Sequence, residues 1–366
     1  MATSPDVLIL GGGVIGLTTA YFLAKAGLSV EVVDQGDFGR ESSWAGAGII
    51  PPGNPATART PLEQLRAFSA TRFPSLSAEL REQTGIDNGY LRCGGLLLLA
   101  PGTRPDDEWH AEGIAFQRLG PEQARALEPA LAAENTEVIF LPDMAQLRNP
   151  RHLRALEAAC AVRGVGLRPG CPIHELHRVG DRVLAARGPL GEWHAGQFLI
   201  ATGAWSDSLL APLGWRPGIR PIRGQIALLH AAPPLLRRIV IDAARYLVPR
   251  PDGRVLVGST EEDVGFDRRT TAAAIADLIG LAVRWVPGLA SAALERCWAG
   301  LRPGSPDGWP FLGPVPGWRN VWVAAGHFRS GIHLSPATAQ LMLELLRGQT
   351  PSLPVEPFRL DRRPPS

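Results

Sequence analysis

The stretch VLILGGGVIGLTTAYFLAKAGLSVEVVDQG, residues 7–36, constrains the fold more than any other part of the chain. Val7–Leu10 reads as a short buried strand, residues 17–26 have the composition of a good helix with Gly27 as its stop, and residues 29–33 read as a second strand ending at Asp34. Between the first strand and the helix, Gly11, Gly13 and Gly16 fall at the spacing G-x-G-x-x-G. The three glycines serve different ends. Gly11 makes the tight turn, Gly13 lets backbone approach a diphosphate, and Gly16 lets the helix pack on the strand. The helix N-terminus offers free N–H groups and partial positive charge to that diphosphate, so Val14 and Ile15 are grouped with the glycines as contacts. Asp34 follows about 20 residues on, where a carboxylate takes ribose hydroxyls. The whole unit predicts a Rossmann-like α/β domain that binds a dinucleotide. An acid at the ribose argues against a 2′-phosphate, hence against NADP, and leaves NAD and FAD both open.

A chain of 366 residues with 45% apolar residues is long enough for two domains and can fill a sizeable core. Its 37 basic and 35 acidic residues are spread along the sequence without a block of like charge, which argues against nucleic acid and against an anionic membrane surface. Cys93, Cys160, Cys171 and Cys297 are scattered, with no C-x-x-C pair and no histidine at metal-ligand spacing. They are expected to be reduced, mostly buried thiols, and no metal site is expected. The opening residues MATSPD lack the basic segment of a signal peptide, and the first apolar run breaks into glycine too early for a membrane span. The expectation is a cytoplasmic protein.

Further stretches repeat the strand-to-turn logic. In ESSWAGAGII, residues 41–50, small residues including Ser42, Ser43, Ala47 and Gly48 follow the second strand where bulky side chains would obstruct a large flat cofactor. Residues 164–167 with 171–177, and 182–186 with 194–200, look like two strand pairs, and the latter runs into ATGAWS with Gly203 and Trp205. Near the end, NVWVAAGHFRSGIHLSPATAQLMLELL places a strand, a glycine-flanked turn and a long helix in succession. Three such junctions can converge on one extended ligand. Residues 90–99 and 224–257 read as strands of a second domain, with PDG at 251–253 as a hairpin turn, and proline-rich pieces at 51–61 and 212–221 lie near the crossings. His152, His174, His177 and His194 read as surface or core residues rather than catalytic ones.

Taken together, the opening unit, SSWAGAG, ATGAWS, YLVPRPDGRVLVGSTEEDVGFD, WAGLRPGSPDGWPFLG and AAGHFRSGIHLSPATA resemble the FAD-dependent amine oxidases of the D-amino-acid oxidase group, and within it the glycine oxidases that serve thiamine biosynthesis. The resemblance implies a mixed α/β fold: an FAD-binding domain over residues 1–87, 144–219 and 300–366, and a discontinuous antiparallel-sheet substrate domain over 88–143 and 220–299. It also implies FAD held by the motifs above together with Ile173, His327, Phe328, Arg329, Ser330, Gly331 and Ile332. The FAD is expected to be noncovalent, because related enzymes that attach flavin through a cysteine do so in the loop matching residues 301–313, which has none.

An amino-acid substrate offers a carboxylate, an amine and a carbon–hydrogen bond, and the planar fork of an arginine suits the carboxylate. By resemblance Arg302 is that clamp, Tyr246 adds its hydroxyl, and the backbone carbonyl of Arg329 faces the amine. The implied reaction is hydride loss from the α-carbon of glycine, sarcosine or a small D-amino acid. It yields an imine that hydrolyses to glyoxylate or an α-keto acid and ammonia, while oxygen becomes hydrogen peroxide. Two other readings stay open: a dehydrogenase that passes electrons to a quinone or a protein, and a flavin-binding module without turnover. Residues 242–245, DAAR, and the pair Glu261 and Glu262 depart from the glycine oxidase pattern on the expected wall of the substrate pocket. The resemblance further implies a homotetramer and a functional link to thiazole synthase.

Overall fold

The computed structural model describes residues 4–99, 106–132 and 137–362. At its centre is a six-stranded sheet in the order Phe311–Pro314, Val321–Ala325, Gln197–Ile200, Val7–Leu10, Val30–Val33 and Gly166–Arg168. All neighbours are parallel except the first pair. Strand alternation sorts the central residues onto two faces. Val7, Ile9, Val30, Val32 and Leu199 enter a core with the helices Val14–Lys25, Pro61–Thr84, Asn149–Val162 and Gly331–Leu346. Leu8, Leu10, Val33, Phe198 and Ile200 enter another, shared with the three-stranded sheet Glu175–Val179, Arg182–Gly188 and Gly191–His194.

A second large sheet has eight strands in the order Ala293–Gly304, Arg220–His230, Arg254–Gly258, Arg245–Pro249, Ile239–Asp242, Gly95–Leu98, Val138–Leu141 and Gln117–Leu119. It is antiparallel except where Ile239–Asp242 runs parallel to Gly95–Leu98. The helix Ala272–Trp285 covers one face of this sheet through Leu278, Ala282 and Trp285. The hairpin expected at residues 251–253 is present, closed by Gly253 N donating to Arg250 O at 3.0 Å, with Gly253 at φ 84°.

Several expected elements fall elsewhere. The first helix begins at Val14, a turn earlier than the apolar pattern indicates, because the glycine motif itself forms its first turn. Residues 164–167 and 171–177 do not pair with each other. Gly166–Arg168 joins the central sheet beside Val30–Val33, and Glu175–Val179 pairs with Arg182–Gly188. Likewise Arg182–Gly188 pairs with Gly191–His194, while Gln197–Ile200 belongs to the central sheet. Residues 90–99 are two strands: Gly94, at φ 77°, turns the chain so that Leu91–Arg92 joins a small sheet with Ile49–Ile50 and Ala145–Gln146. All four cysteines are unpaired, yet only Cys160 is buried; Cys93, Cys171 and Cys297 are partly exposed.

Three histidines sit in the packed interior: His152, fully buried, with His327 at 3% and His333 at 4% exposure. Burial pushes their pKa values down, to about 4 for His152 and about 3 for His327 and His333. All three therefore fold neutral, whereas an unfolded histidine titrates near 6.5. Below that value the unfolded state binds more protons than the native state, so this contribution to stability is complete above pH 6.5 and declines as the pH falls toward 3–4. We expect denaturant midpoints to drop from pH 7 to pH 5, by at most about 1.4 kcal/mol per pH unit for each histidine. In His152→Gln that pH dependence should shrink; an unchanged dependence would remove His152 from it.

Candidate active site

Four neighbouring parallel strands end on one edge of the central sheet, and the segments that follow them carry Gly11, Asp34, Gly203 and His327. Ligands of open α/β sheets bind outside such carboxyl ends. A cavity of about 690 Å³ lies there and continues to the eight-stranded sheet, where it is lined by Tyr246 and Arg302. Every site residue expected from the sequence lines it except Gly16. Gly16 packs instead: a Cβ there would stand 1.9 Å from Gly11 O, inside the junction of helix and strand.

The three motif glycines thus divide between packing and access. Gly11, at φ 107°, presses on the end of the neighbouring strand, where a Cβ would meet Ala201 O at 2.5 Å. Gly13 has ordinary extended backbone, and its Cβ would meet only Ser43 Oγ, at 3.2 Å. As N-cap it offers no side chain to the helix, so first-turn N–H groups are left for another acceptor. One of them is satisfied from within the chain, since Val14 N donates to Ser43 Oγ at 2.9 Å. Asp34 accepts from Gly12 N at 2.7 Å and from Gly36 N at 2.9 Å, which fixes the carboxylate at the cavity edge. Burial pushes its carboxyl above the ordinary range, against the pull of those two donors.

Ser42, Ser43, Ala47 and Gly48 line the cavity from the segment after the second strand, and Ile173, Gly203 and Trp205 line it from two further loops. The Trp205 indole packs on Phe266, with ring centroids 5.2 Å apart. On the far side, His327, Phe328, Arg329, Ser330, Gly331 and Ile332 line the cavity from the turn that enters the last long helix. Phe328 holds φ 47°, an uncommon conformation for a bulky residue and one that clusters at functional sites. His327 is neutral and contacts Thr338 Oγ1 through Nε2 at 3.0 Å.

Arg302 and Tyr246 reach the cavity by crossing neighbouring strands. The Arg302 guanidinium passes over Gly224 to donate to Thr260 O at 3.1 Å and Ser259 Oγ at 2.5 Å. A Cβ on Gly224 would fall 2.4 Å from its Cζ. Tyr246 lies over Gly258 in the same way, where a Cβ would stand 2.5 Å from the hydroxyl. Its hydroxyl meets the Arg302 guanidinium. Among the described residues Arg302 has no ion pair, and burial lowers its pKa. Arg329 by contrast pairs with Glu261, both half exposed. Glu261 lines the cavity, but Glu262 does not share that wall: it pairs with Arg223 and accepts from Gln225 Nε2 at 2.8 Å. Of the segment 242–245, Ala243, Ala244 and Arg245 line the cavity, and His174 sits exposed at its edge.

Gly224, Gly258 and Ser259 are site residues that the motifs do not reveal. Isolated glycines inside strands are the available signal, since they mark close approach of another group.

The FAD dependent oxidoreductase (DAO) family model matches residues 6–345. The chain belongs to that family. Its relatives include a glycine oxidase of Pseudomonas aeruginosa, 38% identical over 97% of this chain and 98% of the relative. A Bifunctional protein ThiO/ThiG of Synechocystis sp. is 34% identical over 99% of this chain, which spans 54% of that longer protein. The crystal structure of glycine oxidase from Geobacillus kaustophilus superposes with a TM-score of 0.93 at 32% identity, covering 98% of this chain and 99% of that one. As a DAO-family oxidoreductase the protein uses FAD, and the mixed α/β fold is that of the family.

The cavity itself fits such a cofactor. It joins an uncapped helix N-terminus, a glycine whose Cβ would meet a single side-chain atom, Ser43 Oγ, and a fixed carboxylate at one end to a partly apolar, side-chain-built wall at the other. Among the described residues no cluster of His, Cys, Asp and Glu could hold a metal ion, and no helix is long and apolar enough to cross a membrane.

Gly13 gives a direct test. Its backbone dihedrals suit any residue, so Gly13→Val is expected to fold with a modestly lowered denaturation midpoint, since Ser43 Oγ must yield and valine caps a helix poorly, while its branched side chain stands at the diphosphate end of the cavity. FAD affinity should fall by about tenfold or more, which is about 1.4 kcal/mol. Wild-type flavin content in the folded variant would show that the turn touches no cofactor.

Proposed function

We propose that the protein is an FAD-dependent glycine oxidase that also accepts sarcosine or small D-amino acids. The observation that carries this reading is Arg302: a partly buried guanidinium without an ion pair among the described residues, beside a tyrosine hydroxyl and facing the cavity. A cation so placed costs solvation energy that an incoming carboxylate offsets. In this reading residues 1–87, 144–219 and 300–366 form the FAD-binding domain, and residues 88–143 and 220–299 form the substrate-binding domain.

The geometry above supports the following roles for individual residues. Gly11, Gly13, Val14, Ile15, Asp34, Ser42 and Ser43 hold the adenosine diphosphate half of FAD. Ala47, Gly48, Ile173, Gly203, Trp205 and residues 327–332 flank the remainder. Arg302 and Tyr246 take the substrate carboxylate, and the Arg329 carbonyl receives the amine while its side chain stays engaged by Glu261. When bound, FAD supplies the hydride acceptor and passes the electrons to oxygen. The protein needs no strong base for an amine that arrives neutral. Its contribution is orientation, holding the α-carbon by fixing the carboxylate at two points. The segment 301–313 has no cysteine, in keeping with noncovalent FAD.

The fusion named Bifunctional protein ThiO/ThiG supports a partnership in which the imine product passes to thiazole synthase. Four unpaired cysteines suit a reducing cytoplasm, and the tetramer implied by resemblance completes the reading.

Steady-state oxidation of glycine, followed by peroxide release with flavin occupancy measured in parallel, tests the assignment. Losing one partner of a buried charge pair costs about 3 to 5 kcal/mol, so Arg302→Ala should lower kcat/KM by roughly 10²- to 10³-fold or more. Arg302→Lys should recover only part, because an ammonium keeps the charge and loses the planar fork. Tyr246→Phe should cost less, about 1.5 to 3 kcal/mol. Near-wild-type efficiency in Arg302→Ala at full FAD occupancy would overturn the assignment. Amino-acid-dependent bleaching of the flavin without peroxide in air would point to a dehydrogenase instead.

A further inference from the structure

A second cavity, of about 290 Å³, shares a wall with the first. The segment 42–47 lies between them, contributing Trp44 and Gly46 to the second and Ser42, Ser43, Gly46 and Ala47 to the first. Six of the twelve residues lining the second cavity are arginines, and none is acidic.

Three of the arginines, Arg148, Arg151 and Arg154, follow one another at a spacing of three from the N-cap of the Asn149–Val162 helix, so they share one stripe of its surface. The first turn of that helix carries no acidic residue. Cations at a helix N-terminus add to its partial positive charge; Asp252 answers Arg148, while Arg151 and Arg154 stand exposed on the next turns. The other three, Arg250, Arg254 and Arg296, come from the facing sheet.

Ion pairs account for only two of the six. Arg148 pairs with Asp252 at 2.5 Å, and Arg254 pairs with Asp252 at 3.1 Å and Glu295 at 2.7 Å. Arg250, 6% exposed, donates only to neutral oxygens: Gln146 Oε1, Leu147 O and Ala47 O. Arg296 stands over the Trp44 ring at 5.1 Å. Among the described residues Arg151, Arg154, Arg250 and Arg296 meet no carboxylate within ion-pair distance. The rest of the wall is apolar and partly planar. Leu228 and Leu256 lie beside the indoles of Trp44 and Trp298, which pack edge to face with centroids 5.3 Å apart.

We propose that this cavity is a second ligand site, for a phosphorylated small molecule carrying a planar ring. Its phosphate sits on the guanidinium groups of Arg151 and Arg154, and its ring lies against the tryptophan and leucine wall. Several guanidinium forks on one wall suit the many acceptor oxygens of a phosphate. The volume is near the lower end of small-molecule sites, about 300 Å³, which fits a mononucleotide-sized ligand and excludes a second dinucleotide.

The experiment uses FAD-saturated holoenzyme, so that the cofactor cavity is filled, and titrates it calorimetrically with AMP, inorganic phosphate and adenosine. AMP is expected to bind saturably and at least about tenfold more tightly than either fragment. In the double variant Arg151→Ala, Arg154→Ala, both on the exposed helix surface, AMP affinity should fall by about tenfold or more with FAD content and glycine oxidation unchanged. No saturable AMP binding overturns the proposal, as does equal binding by the double variant or AMP no tighter than phosphate. Displacement of AMP by a glutamate-rich peptide that binds more tightly would also overturn it and mark the face as a docking surface for an acidic protein.

Discussion

The contact on which the rest depends is the approach of Gly16 to Gly11, so close that a single Cβ would stand 1.9 Å from the Gly11 carbonyl oxygen. It lets the Val14–Lys25 helix start only three residues after the Val7–Leu10 strand, with no longer loop to bury the helix N-terminus. Gly11 in turn presses on Ala201, at the end of the next strand. Two adjacent strand ends are thereby locked in register at the same edge, and parallel pairing brings Val30–Val33 and Val321–Ala325 to that edge as well. A cavity for an extended ligand follows from the geometry of the sheet, before any side chain is chosen.

The substrate end obeys a different rule. There the cavity is shaped by long side chains that lie across neighbouring strands, and glycines in those strands make the crossing possible. Arg302 passes over Gly224, and Tyr246 over Gly258. Arginine alone does not identify a binding cation in this chain, because nearly every positive charge is arginine. What separates Arg302 from Arg329 is the partner: Arg329 is neutralised by Glu261 at the half-exposed rim, while Arg302 has only neutral oxygens from Ser259, Thr260 and Tyr246. A surface pair of that kind contributes little to stability, and an unpaired inner cation is available to an anion.

This difference decides how much can be read from the sequence. The first turn of the site is local: Gly11 to Gly16 and Asp34 fall in one strand, helix and strand unit, and their spacing alone states their geometry. Even there the motif is a better guide than the apolar pattern, which places the helix start a turn too late because Val14 to Gly16 belong to the turn and to the helix at once. The strands around residues 164–200 are visible in the sequence, but their partners are not, since pairing between strands of similar length and composition is settled by packing on the central sheet. The split at Gly94 is legible in principle from the pair Gly94 and Gly95 within an apolar run. Gly224 and Gly258 are not, because their purpose emerges only when Arg302 and Tyr246, distant in sequence, cross them.

The two ends of the cavity are therefore built by different means, and they meet where Glu261 pairs with Arg329. Cofactor binding is written mainly in backbone, where substitutions at Gly11 or Gly16 meet fixed carbonyl oxygens within 2.5 Å and cannot be accommodated by moving a side chain. The proposed substrate wall is built from side chains that stand on the eight-stranded sheet, where Tyr246 is paired with Gly258 across neighbouring strands. Departures from the glycine oxidase pattern at 243–245 and Glu261 line that second wall, and Glu261 also reaches the turn after Val321–Ala325 through its ion pair with Arg329. A fold with this division can keep one redox cofactor while the shape and charge of the opposite wall set which amino acid is oxidised.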